Sequence, residues 1–500
     1  MKHLNTFFGM LAIVGLSISA TAQTWPPDGM LGTGESEATA WQITTHQHLK
    51  ALADYVNAEN GNETKNVFYK LMNDIDLEEY TNWDPIGYYS SYSGATIFQG
   101  NFDGNGNVVQ NLTVDEAQQE GVGLFGNISE ASIKNLGVEN CNVTGKYSVG
   151  GLVGDCFRSK ITNCYATGTV NGGFIGGLVG SHKTNSVMTN CHASVTVNGT
   201  RDCNGGLVGR NDDSTITNSY ATGNVNGPSL VGGLVGYNSS SESVISNSYA
   251  TGNVSGHLEV GGLVGTNGYS NIFNCYATGN VSGTDECVGG LAGKNRTSGM
   301  IKNCVAANSS VTLITDRTTT LISRVIGEND VENSQNNYAN SAMVVLQNGL
   351  PVTITDELNG KAGMGKPLAT FKTESFYTTS GNWKGGAWNF NEIWNICEEK
   401  TFPWLRWQDI DCDNLGITAT IESQIKVYPN PTKGELIINN GELKIESVTI
   451  YDIMGKTLNN FQLSTLNSQL KIDISHLPNG VYFLKIETAN GTTTQKVIKE

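Results

Sequence analysis

Apolar and polar positions alternate along most of this chain in short runs broken by glycine, and the runs recur. Gly-Gly-Leu-Val-Gly stands at Gly150–Gly154, Gly176–Gly180, Gly205–Gly209, Gly232–Gly236 and Gly261–Gly265, then as Gly289-Gly-Leu-Ala-Gly293. Gly121-Val-Gly-Leu-Phe-Gly126 precedes the series, and Ser323-Arg-Val-Ile-Gly327 trails it in degraded form. The second glycines step by 28, 26, 29, 27, 29 and 28 residues. A second phrase fills each gap, as in Ile161–Val170, Ile216–Val225, Ile245–Val254 and Ile272–Val281. Period-two alternation marks half-buried strands, so one unit is two or three short strands joined by Gly and Asn turns.

Such a unit cannot bury an apolar face alone, whereas stacked copies build a continuous core. The predicted fold is all-β: a parallel β-helix of about 28-residue repeats, with a short N-terminal capping helix and a small C-terminal β-sandwich. Seven or eight coils at about 4.8 Å each make a rod of roughly 35–40 Å before its caps. A propeller blade wants about 40–50 residues and fits the period poorly. Asn135, Asn163, Asn190, Asn218, Asn247, Asn274 and Asn303 share one repeat position, as a ladder of stacked amides requires. Leu49, Leu52, Ala53 and Val56, after Thr44 and Gln47 in capping-box spacing, predict an amphipathic helix over the first coil. Trp383, Trp388, Phe390, Trp394, Phe402, Trp404 and Trp407 predict an aromatic closure at the other end, as core filling or as a sugar-stacking platform.

The ends of the chain set its destination. Lys2 and His3 before an apolar run from Phe7 to Ile18, then Ala20-Thr21-Ala22, read as a secretory signal cleaved before Gln23. No later run reaches the ~18 apolar residues that span a bilayer. The expected organisation is a signal peptide at 1–22, an N-terminal cap and first coils at 23–120, the repeat solenoid at 121–330, its C-terminal cap at 331–412, a linker at 413–424 and a terminal domain at 425–500. Glycine, 60 of 500 residues, suits tight turns, and 15% charged residues argue against a disordered chain. The net charge of −16 sits on the flanks of the repeats: residues 24–140 carry 17 acidic against 4 basic side chains. No segment has the basic excess that nucleic acid or anionic lipid requires.

The last 75 or so residues hold seven alternating segments, from Ile425–Tyr428 to Thr493–Ile498, divided by Pro429-Asn-Pro431, Asn440-Gly441, Pro478-Asn-Gly480 and Asn490-Gly491. Val427-Tyr-Pro-Asn-Pro431, Ile450-Tyr-Asp-Ile-Met-Gly455 and Leu477-Pro-Asn-Gly480-Val-Tyr-Phe483 resemble the C-terminal sorting domain of the type IX secretion system of Bacteroidetes. That resemblance implies passage across the outer membrane through the type IX machinery and a place at the cell surface or outside it. Gly-Gly-Leu-Val-Gly-x-Asn with Asn-Cys-Tyr-Ala-Thr-Gly resembles the GLUG repeat of large bacterial surface proteins, adhesins and the non-catalytic parts of some IgA-cleaving peptidases. The resemblance implies location and names no catalytic residue.

Ten cysteines in an exported chain invite disulfides. Cys164, Cys191, Cys275 and Cys304 alternate with Ser219 and Ser248 at one position, which favours a reduced, buried ladder over bridges. Cys203 and Cys287 lie three coils apart, about 14 Å, beyond bridging range. Cys397 and Cys412 are the best pair, closing 15 residues for about 3 kcal/mol. No zinc spacing and no cofactor motif is present, and Asp103-Gly-Asn-Gly106 reads as a turn before a calcium loop. His46-Gln-His48, His182, His192 and His257 form no catalytic constellation.

Tyr165, Tyr220, Tyr249 and Tyr276, with His192 in the same column, are the ligand-binding candidates. If Cys164 and Ala166 point inward, the rings face outward and could stack on a glycan or a surface protein; buried or mutually stacked rings are the competing reading. Arg158, Arg210, Asp213 and Glu242 fall near one loop column and offer acids and a base for a polysaccharide lyase or hydrolase. The expectation is a non-catalytic, adhesin-like binding protein, with that enzyme or a passive spacer as alternatives.

Overall fold

In the computed structural model, residues 25–88, 95–296, 298–316, 321–330, 333–413, 426–439, 445–452, 457–465, 469–488 and 491–500 are described. The signal segment and all but the first residue of the 413–424 linker lie outside them. The chain divides into two compact units, Met1–Ile396 and Cys397–Glu500.

The first unit is a parallel β-solenoid of three sheets. The first sheet stacks eleven short strands in chain order, from Trp41–Ile43 through Lys160–Thr162 and Thr215–Thr217 to Ser334–Gln335. The second stacks eight, from Phe125–Ser129 to Ile326–Asn329. The third holds the longer runs, among them Gly137–Gly150, Tyr165–Gly176, Val225–Gly232 and Val281–Gly289. Pairing across coils is parallel and in register, so equivalent residues of successive repeats form straight columns: Ile133, Ile161, Met188, Ile216, Ile245, Ile272 and Ile301 stack in this way. All seven are buried. Eleven turns exceed the seven or eight read from the glycine phrase, because the first coils lack that phrase and place Tyr69 and Phe102 in the column that Ile133 and Ile161 continue.

The glycine phrase marks the corner where the third sheet turns into the second. A Cβ on Gly206 would lie 2.1 Å from the carbonyl oxygen of Gly233 and 2.9 Å from the Ala221 methyl, so the coil closes only with hydrogen there. At another corner the seven repeat asparagines all take the left-handed conformation, φ between +49° and +57°. Asn tolerates that region better than other L-residues, and its amide adds cross-coil bonds. Asn163 donates to Asn135 Oδ1 at 3.0 Å, and Asn190 to Asn163 at 3.2 Å. A second amide ladder runs inside the core: Asn211, Asn238, Asn267, Asn295 and Asn329 are linked in sequence by Nδ2-to-Oδ1 bonds of 2.8 to 2.9 Å. His182 sits at the foot of that ladder, with Nδ1 2.9 Å from Asn211 Oδ1.

The N-terminal helix spans His46–Tyr55 and buries Leu49, Ala51, Leu52 and Ala53. Its N-cap is Thr45, whose hydroxyl accepts from His48 N, one residue beyond the predicted Thr44. The Thr44 hydroxyl instead lies 3.2 Å from His48 Nδ1, so the imidazole takes the role expected of Gln47. At the far end, Phe376, Tyr377, Trp383, Trp388, Phe390 and Trp394 are buried as core; of the other predicted aromatics Trp404 is buried, Phe402 half-buried and Trp407 exposed. The core aromatics close on one flank as well as on the end: Trp388 Nε1 donates to Asn303 O at 3.2 Å, and Asn303 Nδ2 to Lys384 O at 3.2 Å.

In the second unit, Cys397 and Cys412 form a disulfide across 15 residues. Lys426–Tyr428, Glu435–Asn439 and Gln469–Asp473 make one antiparallel sheet, and Thr457–Thr465, Ile445–Tyr451, Gly480–Thr488 and Gly491–Lys499 another. Leu436, Ile438 and Ile472 of the first pack with Val448, Ile450, Leu484, Ile486 and Val497 of the second, a small sandwich.

Candidate functional site

The outer side of the third sheet carries the predicted tyrosine column. Alternation sends Ala166, Ala193, Ala221, Ala250 and Ala277 into the core and Tyr165, His192, Tyr220, Tyr249 and Tyr276 outward, in register. The rings stack on one another, with centroids 4.9, 4.7, 4.9 and 4.8 Å apart and planes within 8°. Stacking consumes the ring faces, so a sugar cannot lie flat against an internal ring, and the column offers edges. Tyr249 and Tyr276 are not exposed as a ligand site requires: they are 5% and 3% accessible, under the Trp394 indole at 6.4 and 6.1 Å. Tyr165, His192 and Tyr220 stay half-buried. The Tyr165 hydroxyl donates to Glu139 Oε1 at 2.6 Å, and burial with that carboxylate pushes its pKa up. Burial pushes His192 down to about 4, so the ring is neutral at physiological pH.

Three more outward columns lie beside the rings, and sequence reading missed them. Thr167, Ser194, Thr222, Thr251 and Thr278 form the first, Thr169, Thr196, Asn224, Asn253 and Asn280 the second, Asn171, Asn198, Asn226, Ser255 and Ser282 the third. The signal was in the repeat phrase, since each polar residue after Tyr-Ala alternates with Gly or Val. No Asp, Glu, Lys or Arg occurs in these columns or the ring column across the five coils. Asn224 Oδ1 accepts Asn253 N–H at 3.0 Å, Asn253 Oδ1 accepts Asn280 N–H at 3.0 Å, and Asn198 donates to Asn171 Oδ1 at 3.0 Å. The result is an uncharged plane of hydroxyls and amides held in fixed rotamers.

The predicted acid and arginine cluster has a different fate. Arg158 and Asp213 occupy the corner between the second and first sheets, two coils apart, and Glu242 is exposed in the corresponding turn of the next coil. Arg210 pairs with Asp212 at 2.8 Å, Asp213 accepts the Ser240 hydroxyl at 2.6 Å, and no ion pair joins any two of the four candidates. They share a corner without converging. Cys141, Cys156, Cys164, Cys191, Cys203, Cys275, Cys287 and Cys304 are free and buried. Asp103 Oδ1 accepts Asn105 N–H at 2.8 Å, an Asx turn. Among the described residues no cluster of His, Cys, Asp and Glu could hold a metal, and no helix is long and apolar enough to cross a membrane.

Segments 145–171, 203–226, 227–255, 256–282 and 284–312 match the GLUG motif, and residues 426–500 match the secretion system C-terminal sorting domain. The first four GLUG segments end on Asn171, Asn226, Ser255 and Ser282 of the third outward column, and the fifth ends on Thr312, which pairs with Ser282. Halomucin of Haloquadratum walsbyi is 34% identical over 148 residues, which cover 28% of this chain and 2% of that protein. A solved structure from Bacteroides ovatus, provisionally named an immunoglobulin A1 protease, has a TM-score of 0.40 and 19% identity, covering 75% of this chain and 94% of that one. A second, named IgA1 protease, has a TM-score of 0.36 and 14% identity over 91% of this chain and 34% of its own. This chain is thus a β-solenoid of GLUG repeats with a type IX C-terminal sorting domain, exported to the cell surface or the extracellular space.

Proposed function

We propose that the exported solenoid is a non-catalytic, adhesin-like binding protein that holds a glycan on the outer face of its third sheet. The observation that carries this reading is the uncharged plane itself: columns of Thr, Ser and Asn on five coils, beside aromatic edges that are half-buried on three of them. Hydroxyl and amide groups match the donors and acceptors of a neutral sugar. Neither the Tyr165 hydroxyl nor the neutral His192 exchanges a proton near neutral pH, so the face suits holding a ligand better than cleaving one.

The test screens the mature chain against a glycan array and assays the same polysaccharides for depolymerisation. Binding without product is expected, reduced at least tenfold in Thr222→Glu, which places a charge on an exposed position, and reduced in Tyr220→Ala. Product formation that persists in both variants would refute the proposal and point to the corner of Asp213 and Glu242.

A further inference from the structure

A plane this regular constrains its ligand further than the word glycan does. Along the solenoid axis its groups repeat once per coil, about 4.8 Å, and across the strands the columns stand two residues apart, roughly 6.6 Å. The groups are also oriented. The Asn224 and Asn253 side-chain oxygens accept the N–H of the following asparagine, and Asn280 Oδ1 accepts Ser310 N–H at 3.1 Å. With the oxygens pinned, the three Nδ2 groups remain as a straight file of donors one coil apart, and all three side chains are exposed. Ser255 Oγ donates to Asn226 Oδ1 at 3.2 Å in the next column, which locks that file too.

Each such hydrogen bond competes with water and is individually weak. A rigid two-dimensional lattice of weak sites gains affinity only when many engage at once, and a partner that is itself rigid and periodic in two directions does so at the lowest entropic cost. A soluble chain in solution has one direction of repeat and loses its flexibility on binding. A crystalline surface repeats in both directions and has already lost it. The stacked tyrosines fit the same conclusion, because their faces are unavailable for wrapping a single sugar. Resting on the glycan reading above, we infer that this face recognises the surface of an uncharged crystalline polysaccharide, with the asparagine file donating to its repeating oxygens.

The experiment measures depletion of the mature chain from solution by microcrystalline cellulose and by chitin. Soluble cello- and chito-oligosaccharides are titrated by calorimetry in parallel. Asn→Asp at positions 224 and 280 keeps the oxygens that accept the neighbouring N–H and removes two of the three donors. Thr189→Val with Thr217→Val, on the outer side of the first sheet, is the control for folding and nonspecific adsorption. The inference expects retention on at least one solid, at least tenfold weaker retention of the Asp pair, an unchanged control, and oligosaccharide binding at least 100-fold weaker per molecule than the solid. Tight oligosaccharide binding abolished by the Asp pair would overturn the crystalline inference and leave the glycan reading standing. Retention that survives the Asp pair would overturn the site. No binding to solids, oligosaccharides or the array would overturn both, and inhibition of ice growth lost in the Asp pair would reassign the plane to ice.

Discussion

His182 ends the inner amide ladder, and the cost should be measurable as a pH dependence of stability. The ring is fully buried between Cys156 below and Asn211 above. Asn211 spends its Nδ2 on Ser214 O and Asn238 Oδ1, so its Oδ1 accepts from His182 Nδ1–H and the imidazole is neutral. Nε2 is buried with no hydrogen-bond partner. Burial lowers the His182 pKa from 6.5 to about 4. Unfolded, the same group titrates near 6.5 and binds a proton that the folded state refuses. Its contribution is therefore complete above about pH 6.5 and is lost as pH falls toward 4. Integrated between pH 7.5 and 4.5, the loss is about 2.5 kcal/mol. His182→Asn extends the ladder by one residue and removes the titrating group. Urea unfolding followed by tryptophan fluorescence reports mainly on the solenoid, because six of the eight Trp lie in the first unit and the C-terminal sandwich contains none. Groups shared by both proteins, His192 included, cancel in the difference between wild type and variant. That difference should shift by about 2 to 3 kcal/mol in favour of the variant between pH 7.5 and 4.5. Equal pH slopes in the two proteins would refute the argument.

Three further outcomes follow from the packing. Gly206→Ala puts a methyl 2.1 Å from the Gly233 carbonyl oxygen and should cost more than about 3 kcal/mol, read as a large drop in melting temperature or loss of soluble protein. Asn190→Ala loses the amide contact to Asn163 and keeps a left-handed backbone at φ +54°, for about 1–2 kcal/mol. Asn190→Gly should recover part of that in the same denaturation assay, and an equal loss in both would leave the amide alone responsible. All eight free thiols are buried, so the native protein should not react with a thiol reagent and the unfolded protein should release eight equivalents. Rapid reaction of any thiol without unfolding would contradict the burial.

Much of the fold is legible because a solenoid repeats its physics. One coil's period, its glycine corner and its left-handed asparagine recur with little variation, and each copy confirms the others. The first coils are less legible: Tyr69, Phe98 and Phe102 fill the same core by bulk, without the phrase that announces a corner. The outward Thr and Asn columns were hidden for a different reason. Between Gly and Val they look like ordinary solvated strand positions, and only the register of five coils shows that they align.

The amino-acid sequence alone determined the repeat, the parallel stacking that follows from it, the terminal sorting domain and the destination, because these depend on local period and turn chemistry. Which surfaces stay open was decided only by the tertiary structure. Tyr220 and Tyr249 occupy the same phrase one coil apart, yet Trp394, more than a hundred residues downstream, covers the second and leaves the first half open. The same holds for Arg158, Asp213 and Glu242: the repeat places them at one corner, and only the structure shows Asp213 taken up by the Ser240 hydroxyl and Arg158 two coils away from it. Period is a property of neighbours in sequence, whereas exposure depends on whatever the rest of the chain lays across the column.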